Sequence, residues 1–360
     1  MGRGRPKGSK NKKLVPLSEE SLKKVEKGLK EAGEGKIERI DLDKELKKEE
    51  PILTPEQKER REKLHRVMGD INKDIKGADI NFANTYPIRE RQSFGYKCLD
   101  KLTNGGIPRG LFSTIWGSKG CSKTTIAIKM VAAAQREGKL VAWIDAEHSY
   151  DKEWAFKFGV IQEELAYERP ETAEGALDTI IRLVREQVVD LIVLDSIHSL
   201  CPKGQLYEGK TDTIKSTGKD TQALRARKLT QFFEMSIDAV SKAKCAVLLI
   251  AQSREEIGEF FKIEKLTGGH ALLHNSRIIM RVRRGQGVDC PSEIIITDKP
   301  KKDKEGNILK DKKGNIKYET ETKKLGFDLV AHIDKSQVQG CTELSEIHVP
   351  FYFKEGIKEE

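Results

Sequence analysis

A polar loop between an apolar run and a helical run restricts the folds that this chain can adopt. The loop, residues 117–125, reads Gly-Ser-Lys-Gly-Cys-Ser-Lys-Thr-Thr and follows the apolar run 112–116. A helical pattern, residues 124–136, begins inside it. In that context backbone N–H groups and the helix N-terminus can surround phosphate groups. The loop therefore predicts a P-loop nucleotide site on an α/β fold.

Two side chains of the loop suit the binding of ATP with Mg²⁺. Lys123 would reach the β and γ phosphates, and the Thr124 hydroxyl would ligate Mg²⁺. Ser122 stands where the pattern GxxxxGK[ST] has glycine, a residue that tolerates unusual backbone dihedrals, so we expect weaker nucleotide binding. Gly120 retains some flexibility two residues earlier. The predicted nucleotide-binding residues of the loop are Gly117, Ser118, Lys119, Gly120, Cys121, Ser122, Lys123, Thr124 and Thr125.

Apolar runs of strand length alternate with longer amphipathic runs between residues 86 and 284. Val-, Ile- and Leu-rich strands that alternate with helices predict an α/β fold, with a mostly parallel central sheet and helices on both faces. The predicted strands are residues 112–116, 140–144, 191–194, 246–250 and 277–282. The predicted helices are residues 124–136, 154–158, 173–187 and 221–241.

Carboxylates follow two of these predicted strands. Asp195 ends the run 188–195, at a sheet edge where a Mg²⁺-associated carboxylate belongs. Glu147 follows the run 141–144, where a carboxylate could orient the water that attacks the γ-phosphate. Two alternatives stay open from the residues alone. Asp195 could be a helix N-cap or turn residue, and Glu147 with His148 could belong to a solvated loop.

Charge and composition favour a nucleic-acid partner. The net charge is +9, and the alternative is a soluble protein with a basic tail. No run reaches 18 apolar residues and the N-terminus lacks an apolar h-region, so we expect a cytoplasmic, nucleoid-associated protein without membrane contact. The six cysteines, at positions 98, 121, 201, 245, 290 and 341, form no CxxC pair and predict neither a disulfide framework nor a zinc site.

Charge patterning divides the chain into three predicted parts. Residues 1–15 form a flexible arm, whose first 13 residues carry six basic side chains and no acid. Residues 16–85 are rich in Lys and Glu and predict a partly helical linker or subunit-docking segment. Residues 86–357 form the predicted core that carries the nucleotide site, in which tandem Gly-Asn turns predict a hairpin insertion near 297–325. A solvated surface excursion is the simpler interpretation of the insertion, and a binding site is the alternative.

After the phosphate loop the chain contains Ile144-Asp-Ala-Glu-His148 and then Leu194-Asp-Ser196. This ordered set resembles the RecA-type recombinases, whose phage members are also irregular in the phosphate loop. The resemblance spans about residues 92–357, and Ile144-Asp-Ala-Glu-His148 is its most specific part. The other segments are residues 105–110, 132–138, 158–160, 194–196, 250–252, 257–258 and 267–269. The resemblance implies a RecA-like P-loop ATPase core that hydrolyses ATP in response to DNA. It also implies a helical homo-oligomer that pairs single-stranded with double-stranded DNA; a phage-encoded member would act in the host cytoplasm.

The resemblance assigns roles around the nucleotide. Glu147 matches the family's catalytic glutamate, and Asp195 matches its Mg²⁺-associated aspartate. Trp154 matches an aromatic that stacks on adenine, with core packing as the alternative, and Asp151 lies near the adenine amino edge. Gln252 matches the γ-phosphate sensor, which can link nucleotide state to the DNA loop that follows it.

The resemblance also has gaps. Lys335 matches one of two lysines that reach the ATP of the neighbouring subunit, but the other position is Ile333. Cooperative activation between subunits is therefore in doubt or uses another residue. We expect the C-terminal domain of bacterial RecA proteins to be absent after Ile357. We also expect the long N-terminal extension to replace the helix and strand that dock one subunit on the next. The predicted catalytic residues are Lys123, Glu147, Gln252 and Lys335.

Two segments, residues 202–221 and 253–269, would face DNA. Aromatic and basic side chains suit single strands, because stacking tolerates any base while cations track the backbone. The N-terminal Arg-Gly-Arg-Pro resembles an AT-hook, which would lie in a narrow A·T minor groove; an electrostatic tether is the alternative. The predicted DNA-binding residues are Arg3, Gly4, Arg5, Pro6, Arg227, Phe261, Gly268 and Gly269.

Two other functions stay open. The first is a DNA-bound accessory or mediator protein that uses ATP as a switch with little turnover, which Ser122 and Ile333 favour. The second is a helicase-like ring motor on the same core fold.

Overall fold

The computed structural model of the 360-residue chain describes residues 53–83, 89–206, 222–257, 262–266, 269–285, 290–301 and 316–358. The chain divides into two compact units, Met1–Tyr86 and Pro87–Glu360. Several sequence predictions lie outside the described residues. They are Arg3, Gly4, Arg5 and Pro6 of the arm, most of the segment 202–221, Phe261, Gly268 and both Gly-Asn turns of the insertion.

The described part of the first unit is built on helix α1, Pro55–Asp74. The helix begins at a capping box, in which Thr54 and Gln57 each accept a hydrogen bond from the other's backbone N–H. Near its end, the Asn72 side chain binds both the N–H and the carbonyl of Ile80. The chain that follows α1 is therefore folded back onto the last turn of the helix.

The second unit begins with a short antiparallel pair, and its main sheet is parallel at the centre. The first strands and helix are β1 (Arg91–Gln92), α2 (Lys97–Leu102) and β2 (Ile107–Pro108). The central strands are β3 (Phe112–Gly117), β4 (Val141–Asp145), β5 (Leu165–Glu168), β6 (Leu191–Asp195), β7 (Ala246–Ile257) and β9 (Ser276–Arg284). They lie in the order β9-β3-β7-β6-β4-β5, and all neighbours are parallel. Every residue of β3, β4 and β6 is buried, as in a sheet covered on both faces.

Antiparallel strands extend this sheet beyond β9. They are β12 (Gly326–Ser336), β13 (Glu346–Tyr352) and β14 (Gly356–Ile357). Strand β8 (Lys262–Leu266) pairs antiparallel with the far end of β7. A separate two-stranded ribbon consists of β10 (Ser292–Pro300) and β11 (Tyr318–Lys324), on either side of the predicted Gly-Asn turns.

Helices cover both faces of the main sheet. They are α3 (Lys123–Arg136), α4 (Lys152–Lys157), α5 (Ala173–Arg185), α6 (Lys203–Leu206), α7 (Gln222–Ala243) and α8 (Gly269–Asn275). Helix α3 packs in one core cluster with strand residues such as Ile115 and Trp143. Helices α5 and α7 pack in the other, with Phe112 and Ile144 from the opposite face of the same strands. In α5 the buried residues recur every three or four positions, as an amphipathic helix requires: Ala173, Ala176, Leu177, Ile180, Ile181 and Val184.

This architecture confirms the predicted α/β fold class, in which a mostly parallel sheet has helices on both faces. The predicted strands and helices are present, with ends that differ by one or a few residues. The predicted hairpin insertion near 297–325 lies where the structure has β10 and β11. The sequence analysis did not predict the strands β1, β2, β5, β8, β12, β13 and β14. No helix in the described part of the chain is long and apolar enough to cross a membrane.

Candidate nucleotide-binding site

The phosphate loop lies between β3 and α3, where neighbouring parallel strands end. Gly117 at the end of β3 is in register with Gln252 of β7, and Asp145 of β4 with Asp195 of β6. Parallel pairing therefore gathers the C-terminal ends of β3, β4 and β6 and the middle of β7 around the loop. A cavity of about 260 Å³ is lined by Lys119, Gly120, Cys121, Ser122, Lys123, Thr124, Thr125, Glu147, Asp195 and Gln252. Most of the predicted nucleotide residues are thus brought together in one place.

Backbone geometry explains the requirements at two positions of the loop. A Cβ atom on Gly117 would lie 1.9 Å from the carbonyl oxygen of Val282, so only glycine fits there. Ser122 has φ 64° and ψ 22°, the left-handed conformation that glycine adopts without strain. For a residue with a Cβ this conformation costs roughly 1–2 kcal/mol. The loop therefore keeps the glycine-type backbone that the pattern predicts, with serine in place of glycine.

Arg284, at the end of β9, holds the loop from the side. Its Nε and Nη2 atoms donate hydrogen bonds of 3.1 and 2.9 Å to the carbonyl of Gly120, and its guanidinium lies 4.5 Å from the ring centroid of Phe327. The sequence analysis missed this residue. Arg284 is 164 positions from Gly120, and only the strand order, with β9 beside β3, brings the two together.

Lys123 is buried under its own loop. Its ammonium group donates hydrogen bonds of 2.9 Å to the carbonyl of Gly117 and 2.7 Å to that of Ser118. Burial lowers the pKa of Lys123, while nearby negative groups, among them Asp195 and Glu147, oppose this shift. The cation is therefore held inside the cavity, where phosphate oxygens could replace the carbonyls as its partners.

Thr124 and Asp195 meet on the other side of the cavity. The Thr124 hydroxyl donates a 2.7 Å hydrogen bond to Oδ2 of Asp195, which is 1% exposed. The second carboxylate oxygen, Oδ1, is buried and accepts no hydrogen bond from the described residues. Burial raises the pKa of Asp195 to about 7, the charges of Glu147 and Asp145 add to this, and the bond from Thr124 opposes it. A buried carboxylate with an unused oxygen, beside a hydroxyl, suits a Mg²⁺ ion and its waters.

Glu147 and Gln252 are in direct contact. Nε2 of Gln252 lies 3.1 and 3.2 Å from the two carboxylate oxygens of Glu147. The backbone N–H of Glu147 donates to the carbonyl of Asp195, and that of Gln252 donates to Nδ1 of His198 at 3.0 Å. Glu147 is therefore fixed by both its backbone and its carboxylate, and it is part of the cavity wall. The sequence analysis did not single out His198.

The two predicted adenine residues lie beside the loop on α4. Asp151 is the N-cap of α4, because its carboxylate accepts from the N–H of Trp154. The Trp154 indole N–H donates to the Thr125 hydroxyl at 3.2 Å, and its ring packs edge-on against Phe158. Both residues thus have structural contacts of their own, and their adenine roles stay predictions.

The remaining predicted site residues lie away from the cavity wall. Lys335 donates to the carbonyls of Leu273 and His274 at the end of α8. Ile333 is completely buried in the core. Arg227 is exposed on α7, and Gly269 is the first residue of α8.

The sequence of the chain is similar to those of known proteins. A family model described as the RecA N-terminal domain matches residues 63–320, so the match begins inside α1. The Protein RecA of Porphyromonas gingivalis is 34% identical over 286 residues, which is 78% of this chain and 79% of the relative. The Protein RecA of Brevibacillus brevis is 34% identical over 241 residues, 66% of each chain. That of Arthrospira platensis is 32% identical over 234 residues, 64% of this chain and 62% of the relative.

Proposed function

The chain belongs to the RecA family, and from that membership and the site we propose that it is a DNA-dependent ATPase of recombination and repair. It forms a helical homo-oligomeric filament on single-stranded DNA and pairs that strand with homologous double-stranded DNA for strand exchange. Its cofactors are ATP and Mg²⁺.

The contact between Glu147 and Gln252 carries the proposal. A carboxylate on the wall of the cavity that the phosphate loop lines, held by an amide donor, can accept a proton from a water and orient it. Lys123 lies in the same cavity and offers positive charge to phosphate oxygens. These groups together suit hydrolysis of a nucleoside triphosphate better than binding alone.

Thr124 and Asp195 fit the metal. Their hydroxyl and carboxylate oxygens would hold Mg²⁺ directly or through water, as the unused Oδ1 atom of Asp195 supports. When bound, Mg²⁺ neutralises charge on the β and γ phosphate oxygens. The nucleotide base would lie against Trp154 and Asp151 at the start of α4.

Gln252 links the nucleotide to DNA through its place in β7. It lies beside Gly117 in the sheet, and the predicted DNA segment 253–269 begins at the next residue, with its first five residues still in β7. If the Gln252 amide exchanged Glu147 for the γ-phosphate, the backbone at the start of that segment would shift with it. Arg227, Phe261, Gly268 and Gly269 would contact single-stranded DNA.

Two further contacts complete the proposal. The arm residues Arg3, Gly4, Arg5 and Pro6 would tether duplex DNA, as the net charge of +9 favours. Lys335 would leave the carbonyls at the end of α8 and reach the nucleotide of a neighbouring subunit.

A pairing assay tests the proposed function. The chain is mixed with ATP, Mg²⁺ and a labelled single strand, and joint molecules with a homologous duplex are counted. A heterologous duplex of the same length and the variant Lys123→Ala are the controls. We expect pairing that requires homology and Lys123, and helical filaments by electron microscopy. Closed rings, or pairing that ignores homology, would contradict the proposal.

A further inference from the structure

Three polar side chains form a continuous path from the surface to the end of β4, the strand just before Glu147. The Tyr167 hydroxyl donates a 2.8 Å hydrogen bond to Oδ2 of Asp145 and accepts a 2.7 Å hydrogen bond from Nε of Arg169. Asp145 is 0% exposed, whereas the Arg169 side chain is 55% exposed. Tyr167 lies on β5, the last strand of the main sheet on this side among the described residues. The path therefore joins the outer strand to the end of β4.

Asp145 closes the turn that follows β4. Its Oδ1 atom accepts from the N–H of Ser149 and its Oδ2 atom from that of Tyr150, each at 3.1 Å. Between these anchors and Glu147 lies His148, whose φ of 55° is rare for a residue with a side chain. The conformation of this turn thus depends on one buried carboxylate, and the turn carries Glu147.

A buried carboxylate keeps its orientation only while its oxygens have donors. The donors to Asp145 are two backbone N–H groups of the turn itself and the hydroxyl of Tyr167. Among the donors in the described residues, only the hydroxyl comes from outside the turn; Arg169 orients that hydroxyl, and its Nε atom lies 4.0 Å from Oδ2 of Asp145. Tyr167 is thus the described side chain that ties the turn to the neighbouring strand through this carboxylate.

We propose that Tyr167 is a positioning residue for ATP hydrolysis, which acts through Asp145 on the turn that holds Glu147, with Arg169 as its outer support. The inference rests on the proposed function, since it concerns the same hydrolytic site. Tyr167 is not among the residues that line the cavity, so it acts on the site only through the turn, and we expect its main effect on turnover.

Packing alone does not need the Tyr167 hydroxyl. The ring lies 5.2 Å from that of Tyr150 and is over a third exposed, so Tyr167→Phe keeps the ring contact and removes only the hydrogen bonds. Tyr352→Phe is the matched control. Tyr352 is also a strand tyrosine with a cation over its ring, Lys358 at 4.8 Å, but it has no contact with Asp145.

The first experiment needs no nucleotide. Amide hydrogen exchange is measured on the nucleotide-free protein, and we expect Tyr167→Phe to speed exchange at the N–H groups of Ser149 and Tyr150. Tyr352→Phe should leave both at the wild-type rate. Unchanged protection in Tyr167→Phe would overturn the proposal.

The second experiment divides turnover from binding. We expect Tyr167→Phe to lower kcat by about tenfold or more with KM for ATP unchanged, because a misplaced catalytic group slows the chemical step. Arg169→Gln should lower kcat less, and Arg169→Lys should restore part of it. An equal loss of kcat in Tyr167→Phe and Tyr352→Phe would overturn the inference, as would a change in KM without a change in kcat. Absence of turnover in the wild-type protein would instead refute the proposed function.

Discussion

The hydroxyl of Thr124 donates a 2.7 Å hydrogen bond to Oδ2 of Asp195, and so joins the first turn of α3 to the end of β6. This bond is the one described donor to a carboxylate that is otherwise buried near two other acids. Burial and the charges of Glu147 and Asp145 raise the pKa of Asp195 to about 7. The nucleotide-free site therefore disfavours the ionised carboxylate that a Mg²⁺ ion requires.

Asp195 should make the nucleotide-free protein less stable at higher pH. Its pKa is raised from 3.8 to about 7 on folding, so the folded state binds the proton more tightly than the unfolded state. The resulting stability is fully present below the unfolded pKa and is lost as pH rises through the folded pKa. The loss is on the order of a few kcal/mol.

The variant Asp195→Asn removes this titration. Thermal unfolding of both proteins at about pH 5 and about pH 8 should show that Tm of the variant, relative to wild type, is higher at the upper pH. If Tm of the variant and of wild type differed by the same amount at both pH values, the raised pKa of Asp195 would be contradicted. With saturating Mg²⁺ and ATP, wild type should have the higher Tm at the upper pH, because only the carboxylate binds the metal.

Ser122→Gly should stabilise the phosphate loop. The left-handed backbone at φ 64° costs serine roughly 1–2 kcal/mol, and the extra freedom of glycine in the unfolded chain offsets about 0.5–1 kcal/mol of that gain. We expect a higher Tm and tighter binding of an ATP analogue by isothermal titration. Ser149→Gly, outside the left-handed region, is the control and should lower Tm. A lower Tm in Ser122→Gly would show that the serine side chain stabilises the loop.

Arg284 should matter for ATP affinity more than for turnover. Its two hydrogen bonds to Gly120 fix the loop but do not reach Glu147. Arg284→Gln is expected to raise KM for ATP about three- to tenfold, as for the loss of charge-assisted hydrogen bonds at a partly exposed site. The neighbouring Arg283, paired with Glu346, supplies the control Arg283→Gln. An equal rise in KM for both variants would mean that the contact with Gly120 has no special role.

Gln252→Ala should separate DNA stimulation from nucleotide binding. The amide holds Glu147 and lies at the base of the segment that we expect to face DNA. We predict that the variant binds ATP normally and that single-stranded DNA no longer raises its rate of hydrolysis. Gln337→Ala, at an exposed position bonded to Arg277, should respond to DNA like wild type. Full stimulation of Gln252→Ala would remove this residue from the coupling.

Local sequence predicts those parts of the site in which a functional residue stands at or just after the end of an apolar strand. The loop 117–125, Glu147 and Asp195 each follow a short apolar strand, and parallel strands bring such residues to one edge. The need for a glycine-type backbone at Ser122 was also readable, and its φ of 64° agrees.

The missed contacts depend on strand order instead. Arg284 reaches Gly120 because β9 lies beside β3, and Tyr167 reaches Asp145 because β5 lies beside β4. The strands β12 and β13 escaped prediction because their sequences, GFDLVAHIDKS and EIHVPFY, mix charged and apolar residues and contain no continuous apolar run like those of the central strands. No local pattern specifies which strands become neighbours.

The most direct test of the account is the steady-state rate of ATP hydrolysis, with and without single-stranded DNA at fixed salt, for wild type and Glu147→Gln. We predict strong stimulation of wild type by DNA. Glu147→Gln should bind ATP but turn over about 10²–10⁴-fold more slowly, because it lacks the base. Glu186→Gln, an exposed glutamate at the end of α5, is the control. A negligible wild-type rate with ATP bound, or unchanged hydrolysis by Glu147→Gln, would contradict the account.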